Sequence, residues 1–156
     1  MNKYFIDPND FSAQTDCGNI QAAVDEAVRT GCNHVVIPAY NRRTGKNLWE
    51  IHETIKLPSH IYIEIDNAHL RMADGVMCRM FQNSNAATVL AGKPEGMQED
   101  IIIQGRGRAL LDGGAHNGLR EDTAGKDGMP NIFNNHNNTV CYINIKFSNN
   151  TFGSSF

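Results

Sequence analysis

The chain has 156 residues, 40% of them hydrophobic, and a formal net charge of -3. That is enough apolar material for one soluble globular domain. It leaves no basic footprint for nucleic acid, no polybasic patch for a membrane surface, and no run near the roughly 20 apolar residues that span a bilayer.

The N-terminus, MNKYFIDPNDF, lacks the apolar core of a secretory signal, so the expected location is the cytoplasm, or outside the cell if a signal has been removed. Cys17, Cys32, Cys78 and Cys141 lie far apart with no C-x-x-C pair, and the expectation is buried free thiols. The histidines are also scattered, none sharing the i, i+4 spacing of a helical metal site. No metal or other cofactor is expected.

In chain order, the first clear element is a helix. Ile20, Ala23, Val24, Ala27 and Val28 form one apolar stripe, with Thr15, Asp16 or Asn19 to cap its start and Gly31 to end it. A β-run follows at His34 to Ile37, closed by Pro38. A polar excursion, AYNRRTGKNLWE, contains the single tryptophan, Trp49, whose two readings are a core residue and a sugar-stacking platform. The next strand is predicted at Glu53 to Leu57, stopped by Pro58. Ile61, Ile63 and Ile65 then alternate with Tyr62, Glu64 and Asp66, the period of a half-buried strand.

From Ala73 to Asp100 the pattern loosens, with one strand expected near Thr88 to Ala91. IIIQGRGRALLDGG, Ile101 to Gly114, is a β-run broken at Gly105 and Gly107 and stopped at Asp112-Gly113-Gly114. Glycine boundaries this close leave no room for crossover helices. Asp112 and Asp66 read as corner residues, with catalysis by Asp112 as the competing reading. Gly113 to Pro130 is a charged surface loop without apolar period. Beyond it, asparagines crowd the chain, including Asn137, Asn138, Asn149 and Asn150, and suit tight corners around the strand predicted from Thr139 to Phe147. Ile61, Ile101 and Val140 open three related segments at intervals of 40 and 39 residues, the spacing of stacked units. A β-sandwich is the alternative arrangement of such strands.

Four stretches, in order, resemble right-handed parallel β-helix proteins of the pectin-lyase type, and most of all the glycoside hydrolases of the polygalacturonase group, family 28. TDCGNIQAAVDEAVRTGCNHVVIP is similar to that family's opening helix and first strand. ETIKLPSHIYIEIDNAHLRMAD is similar to its paired strands, IIIQGRGRALLDGG to its Ile-x-Gly-x-Gly-x-Ile-Asp-Gly coil, and TVCYINIKFSNNT to its Cys-x-Asn-Val-x-Ile strand.

The resemblance implies an all-β solenoid with an N-terminal amphipathic capping helix, residues 1–156 forming the N-terminal part of a longer single domain. It implies a carbohydrate-active protein, a glycosidase acting on an acidic, uronate-containing poly- or oligosaccharide. The alternatives are a pectate-lyase-like β-eliminase and a non-catalytic tailspike or adhesin segment. The family's Asn-x-Asp, Asp-Asp, Gly-His-Gly and Arg-x-Lys motifs do not occur here. No catalytic residue is therefore assigned, and the chain is expected to be incomplete and inactive. The charged loop supplies the expected substrate contacts, His116, Arg120 and Lys126, because Arg recognises a carboxylate through a planar fork and Lys offers a point charge. Self-association is expected through an open C-terminal coil.

Overall fold

In the computed structural model, the described residues are 4–76, 78–85, 96, 98–114, 145–148 and 151–153. Asp7 caps a short 3-10 turn, Pro8–Asp10, by accepting the Asn9 N–H. Helix α1, Asp16–Thr30, starts at Thr15, whose hydroxyl accepts the Gly18 N–H at 3.0 Å, and ends at left-handed Gly31. Of the three proposed caps, Thr15 takes the role. Asn19 instead accepts the Ala13 N–H, and Asp16 reaches into the strands.

The helix buries Cys17, Ile20, Ala23, Val24 and Ala27. Val28, expected in the same stripe, is 47% exposed. Each four-residue step turns about 40° past a full helical revolution, and two such steps from Ile20 carry position 28 off the buried face.

Among the described residues ten short strands follow: β1 His34–Pro38, β2 Trp49–Ile51, β3 Ile55–Leu57, β4 Ile61–Asp66, β5 His69–Met72, β6 Phe81–Asn83, β7 Ile101–Arg106, β8 Leu110–Asp112, β9 Ile145–Ser148 and β10 Thr151–Gly153. All pairings between them are parallel. The first sheet has the order β1-β4-β7-β9, the second β2-β5-β8-β10, and the third pairs β3 with β6. Strands adjacent in sequence thus lie in different sheets, and strands adjacent in space come from successive groups. The expected strand at 53–57 is shorter, and β2 arises inside what reads as a polar excursion. The strand expected at Thr88 to Ala91 lies outside the described residues, as does all of the predicted Thr139–Phe147 strand before Ile145. Among the described residues no helix is long and apolar enough to cross a membrane.

Register produces the core. Val35, Ile63 and Ile103 occupy one column across the first sheet, Ile61 and Ile101 another, and Ile37 and Ile65 a third, all buried. Trp49 faces Leu70 and Ile51 faces Met72 in the second sheet. Each such side chain taken out of water contributes about 1.5–3 kcal/mol. Trp49 is fully buried and its indole N–H donates to the Pro38 carbonyl at 2.7 Å, so it is a core residue and the stacking-platform reading fails.

The N-terminal region closes the open edge of the first strands. Ile6 supplies backbone, donating its N–H to the His34 carbonyl and accepting the Val36 N–H. For β2, the Asp16 carboxylate accepts the Glu50 N–H at 2.8 Å. For β3, the Gln21 amide acts as a substitute strand, accepting the Lys56 N–H at 2.7 Å and donating to the Lys56 carbonyl at 3.2 Å. Unpaired buried backbone groups are costly. The helix therefore covers the apolar interior and satisfies the strand edge together.

Corners stack as well. Asn67 is left-handed at φ 52°, and its Oδ1 accepts the Arg108 N–H beside left-handed Gly107. A Cβ on Gly107 would lie 2.3 Å from that oxygen, so only glycine fits.

Candidate functional site

Among the described residues, the outward side of the second sheet gathers the most ionisable groups in direct contact. Parallel register sets Glu50, Arg71 and Asp112 side by side on β2, β5 and β8, with His69 two residues before Arg71. The period-two pleat that buries Leu70 and Met72 turns these polar residues outward.

Asp112 is the hub. Its Oδ1 accepts the Gly114 N–H at 2.9 Å, its Oδ2 lies 3.1 Å from His69 Nε2, and Arg71 Nε is 3.5 Å away. Burial pushes this carboxyl upward, but the Gly114 N–H, the His69 hydrogen bond and the Arg71 charge together hold it below the usual aspartate range. Arg71 is raised in turn, first by its hydrogen bond to Asp74 at 2.6 Å, with burial opposing and the Asp112 and Glu50 charges adding. His52 Nε2 approaches Glu50 at 3.0 Å.

Two chemical consequences follow. Asp112 is a fixed anion near neutral pH, whereas a glycosidase general acid needs a raised carboxyl. Its contact with Gly114 is the side-chain-to-backbone turn that the corner reading expects. Glu50 and Asp112 stand two strand spacings apart, about 9.5 Å between Cα atoms. Arg71 lies between them in register, with its Nε 3.5 Å from Asp112 and its Nη2 2.6 Å from Asp74. Arg71 is itself engaged by Asp74, Asp112 and the Met72 carbonyl.

No family model matches this chain, and no curated protein or solved structure is significantly similar to it.

Of the residues that the sequence singled out, Asp112 lies in this face. Asp66 lies at the β4–β5 corner, accepting from the Asn67 amide at 2.9 Å. His116, Arg120 and Lys126 fall outside the described residues. Glu50, His52, His69, Arg71 and Asp74 were missed. A signal for two of them was present: Ala68-His69-Leu70-Arg71 and Ala109-Leu110-Leu111-Asp112 repeat Ala-x-Leu 41 residues apart, which sets Arg71 beside Asp112.

Away from this face, His60, Glu99 and Asp100 hold their donor atoms within 4.8 Å of one another. His60 Nδ1 is 2.9 Å from Asp100 and its Nε2 is 3.8 Å from Glu99. Each ring nitrogen thus faces a different carboxylate, and all three groups are exposed. That is a surface ion-pair cluster rather than a cage around one point. Cys17, Cys32 and Cys78 form no disulfide. Cys17 is buried as expected, but Cys78 is exposed in the connection between β5 and β6.

Proposed function

We propose that this chain is a right-handed parallel β-helix segment of a carbohydrate-active protein of the polygalacturonase group, and that its ligand is an acidic poly- or oligosaccharide. Strand order is the observation that carries the reading. Parallel neighbours ordinarily need a crossover of a dozen or more residues, usually helical. Here β1 reaches its partner β4 through β2 and β3, each of which pairs in its own sheet. Right-handedness follows from the near-universal hand of parallel connections. The choice of saccharide rests on the four motifs that resemble the polygalacturonase group.

Within that reading, the charged face of the second sheet is structural rather than bond-breaking. Both Asp112 oxygens are taken by the Gly114 N–H, His69 and Arg71, leaving it neither the proton of a general acid nor a free oxygen for water, and Arg71 is tied to Asp74, Asp112 and the Met72 carbonyl rather than free to act as an eliminase base. These two observations favour, as the second reading, a non-catalytic saccharide-binding segment over a β-eliminase. The test is to incubate the chain with polygalacturonate, measuring new reducing ends and, separately, binding of oligogalacturonate by calorimetry. Binding without turnover is expected. Turnover above a buffer blank that Asp112→Asn abolishes would refute the structural role of that face. Absence of binding to any acidic oligosaccharide would refute the saccharide assignment.

A further inference from the structure

Two cysteines approach one corner of the chain, the turn between β2 and β3, from different elements. The register that pairs Ile51 with Met72 and Ile55 with Phe81 sets the connection 52–54 beside the connection 73–80. The Ala73 N–H donates to the Ile51 carbonyl at 2.9 Å and the Ile55 N–H to the Met80 carbonyl at 3.0 Å, which clamps the two connections together at both ends. Between these clamps the Arg79 N–H donates to Thr54 Oγ1 at 3.2 Å, and Cys78 Sγ lies 3.8 Å from the His52 carbonyl.

Helix α1 brings the second sulfur. Cys17, in its first turn, holds Sγ 3.8 Å from Glu53 Oε1 and 3.4 Å from Thr15 Oγ1. The two sulfurs therefore contact consecutive residues, His52 and Glu53, whose Cα atoms are about 3.8 Å apart. Burial pushes the Cys78 thiol up, its hydrogen bond with Thr54 opposes this, and the neighbouring Cys17 and Glu53 raise it further. Access differs between the pair: Cys17 is buried and Cys78 is exposed. Cys32 lies beyond the other end of α1, roughly 20 Å along the axis, with its Sγ 3.8 Å from the His34 carbonyl.

We infer that Cys17 and Cys78 are a redox pair, closing to a reversible disulfide that locks α1 to the β5–β6 connection when a small-molecule disulfide such as oxidised glutathione is present. The exposed Cys78 thiolate attacks one sulfur of that oxidant, forming a mixed disulfide and releasing one small thiol. The Cys17 proton passes to the Glu53 carboxylate, the Cys17 sulfur attacks that of Cys78, and the second small thiol leaves. Two protein thiols are oxidised while one small disulfide is reduced to two thiols, so electrons and protons balance. Bridged Cα atoms stand about 4.4–6.8 Å apart, and the 73–80 connection, whose described residues belong to no strand, is the side that adjusts to this distance. Closure ties a loop of about 60 residues and so constrains the unfolded chain. With the Cys78 thiol raised, little thiolate is present near neutral pH, and closure quickens as pH rises.

The test uses the whole folded chain, incubated at about pH 8 with oxidised glutathione, its remaining thiols then blocked with iodoacetamide. Trypsin leaves Cys17 and Cys78 in separate peptides, 4–29 and 72–79, which are mapped by mass spectrometry without reduction. Expected are these two peptides joined, and a melting temperature raised by about 4 °C or more that dithiothreitol reverses. Cys32→Ser should keep both effects and Cys78→Ser, at an exposed position that leaves folding intact, should lose both. Pairing of Cys17 or Cys78 with Cys32 or Cys141 would overturn the inference. So would Cys78 held only as its glutathione adduct, or a melting temperature that oxidation leaves unchanged.

Discussion

Asp16 joins the capping helix to the strands, and its removal should be among the most damaging single truncations in the described structure. The side chain is buried and accepts two hydrogen bonds, from Arg43 Nε at 2.7 Å and from the Glu50 N–H at 2.8 Å. In Asp16→Ala the Glu50 N–H on β2 loses its partner, at about 1–3 kcal/mol. The charge-assisted bond to Arg43 is worth about 1.5–3 kcal/mol, and the lower end applies because the guanidinium is one-third exposed and can rehydrate. A carboxylate in the first helical turn adds about 0.3–1 kcal/mol. The expected loss is about 3–5 kcal/mol, a large part of a total stability of about 5–15. Asp16→Asn keeps an acceptor for the Glu50 N–H and loses mainly the charge, so it should cost roughly half as much. Urea unfolding followed by circular dichroism measures both, and a double-mutant cycle with Arg43→Ala isolates the ion pair. A loss below about 1 kcal/mol for Asp16→Ala, or equal losses for the two variants, would refute the edge-closing role.

Three further outcomes are expected. Val24→Asp places an unpaired charge in the core and should abolish soluble expression, whereas Val28→Asp, on the exposed flank of the same helix, should change stability by no more than about 1 kcal/mol; similar melting of the two would refute the assigned helix orientation. Gly107→Ala meets Asn67 Oδ1 and must hold a left-handed φ, so thermal unfolding should show a loss of about 2 kcal/mol or more, partly recovered by Asn67→Gly. Asp112 has a lowered folded-state value, so its contribution is present above the ordinary aspartate value of about 3.9 and is lost as pH falls through the lower folded one. Stability measured from pH 6 downward should therefore fall less steeply in Asp112→Asn, and parallel acid limbs for the two proteins would count against the contacts assigned to that carboxylate.

The amino-acid order by itself determined the helix, a start within the capping residues Thr15 to Asn19, its stop at Gly31 and the alternation that buries Ile61, Ile63 and Ile65. These depend on periods of 3.6 and 2 and on local backbone preferences, all readable within a few residues. It also marked the corner at Asp66-Asn67 and the glycines around Asp112. It did not reveal β2, because three residues at 49–51 are too few to display a period, and they are strand only because Leu70 and Met72 lie alongside them. Val28 was misplaced because an i, i+4 rule ignores the slow drift of a helical stripe. The grouping of Glu50, Arg71 and Asp112, and the different grouping of Tyr62, Glu64, Gln104 and Arg106, were decided by parallel register alone. Residues some 20 to 40 positions apart become neighbours when strands stack about 4.8 Å apart. Whether an arginine then meets two carboxylates, as Arg71 does in Asp74 and Asp112, or one, as Arg106 does in Glu64, depends on what its own turn and the neighbouring strands bring beside it.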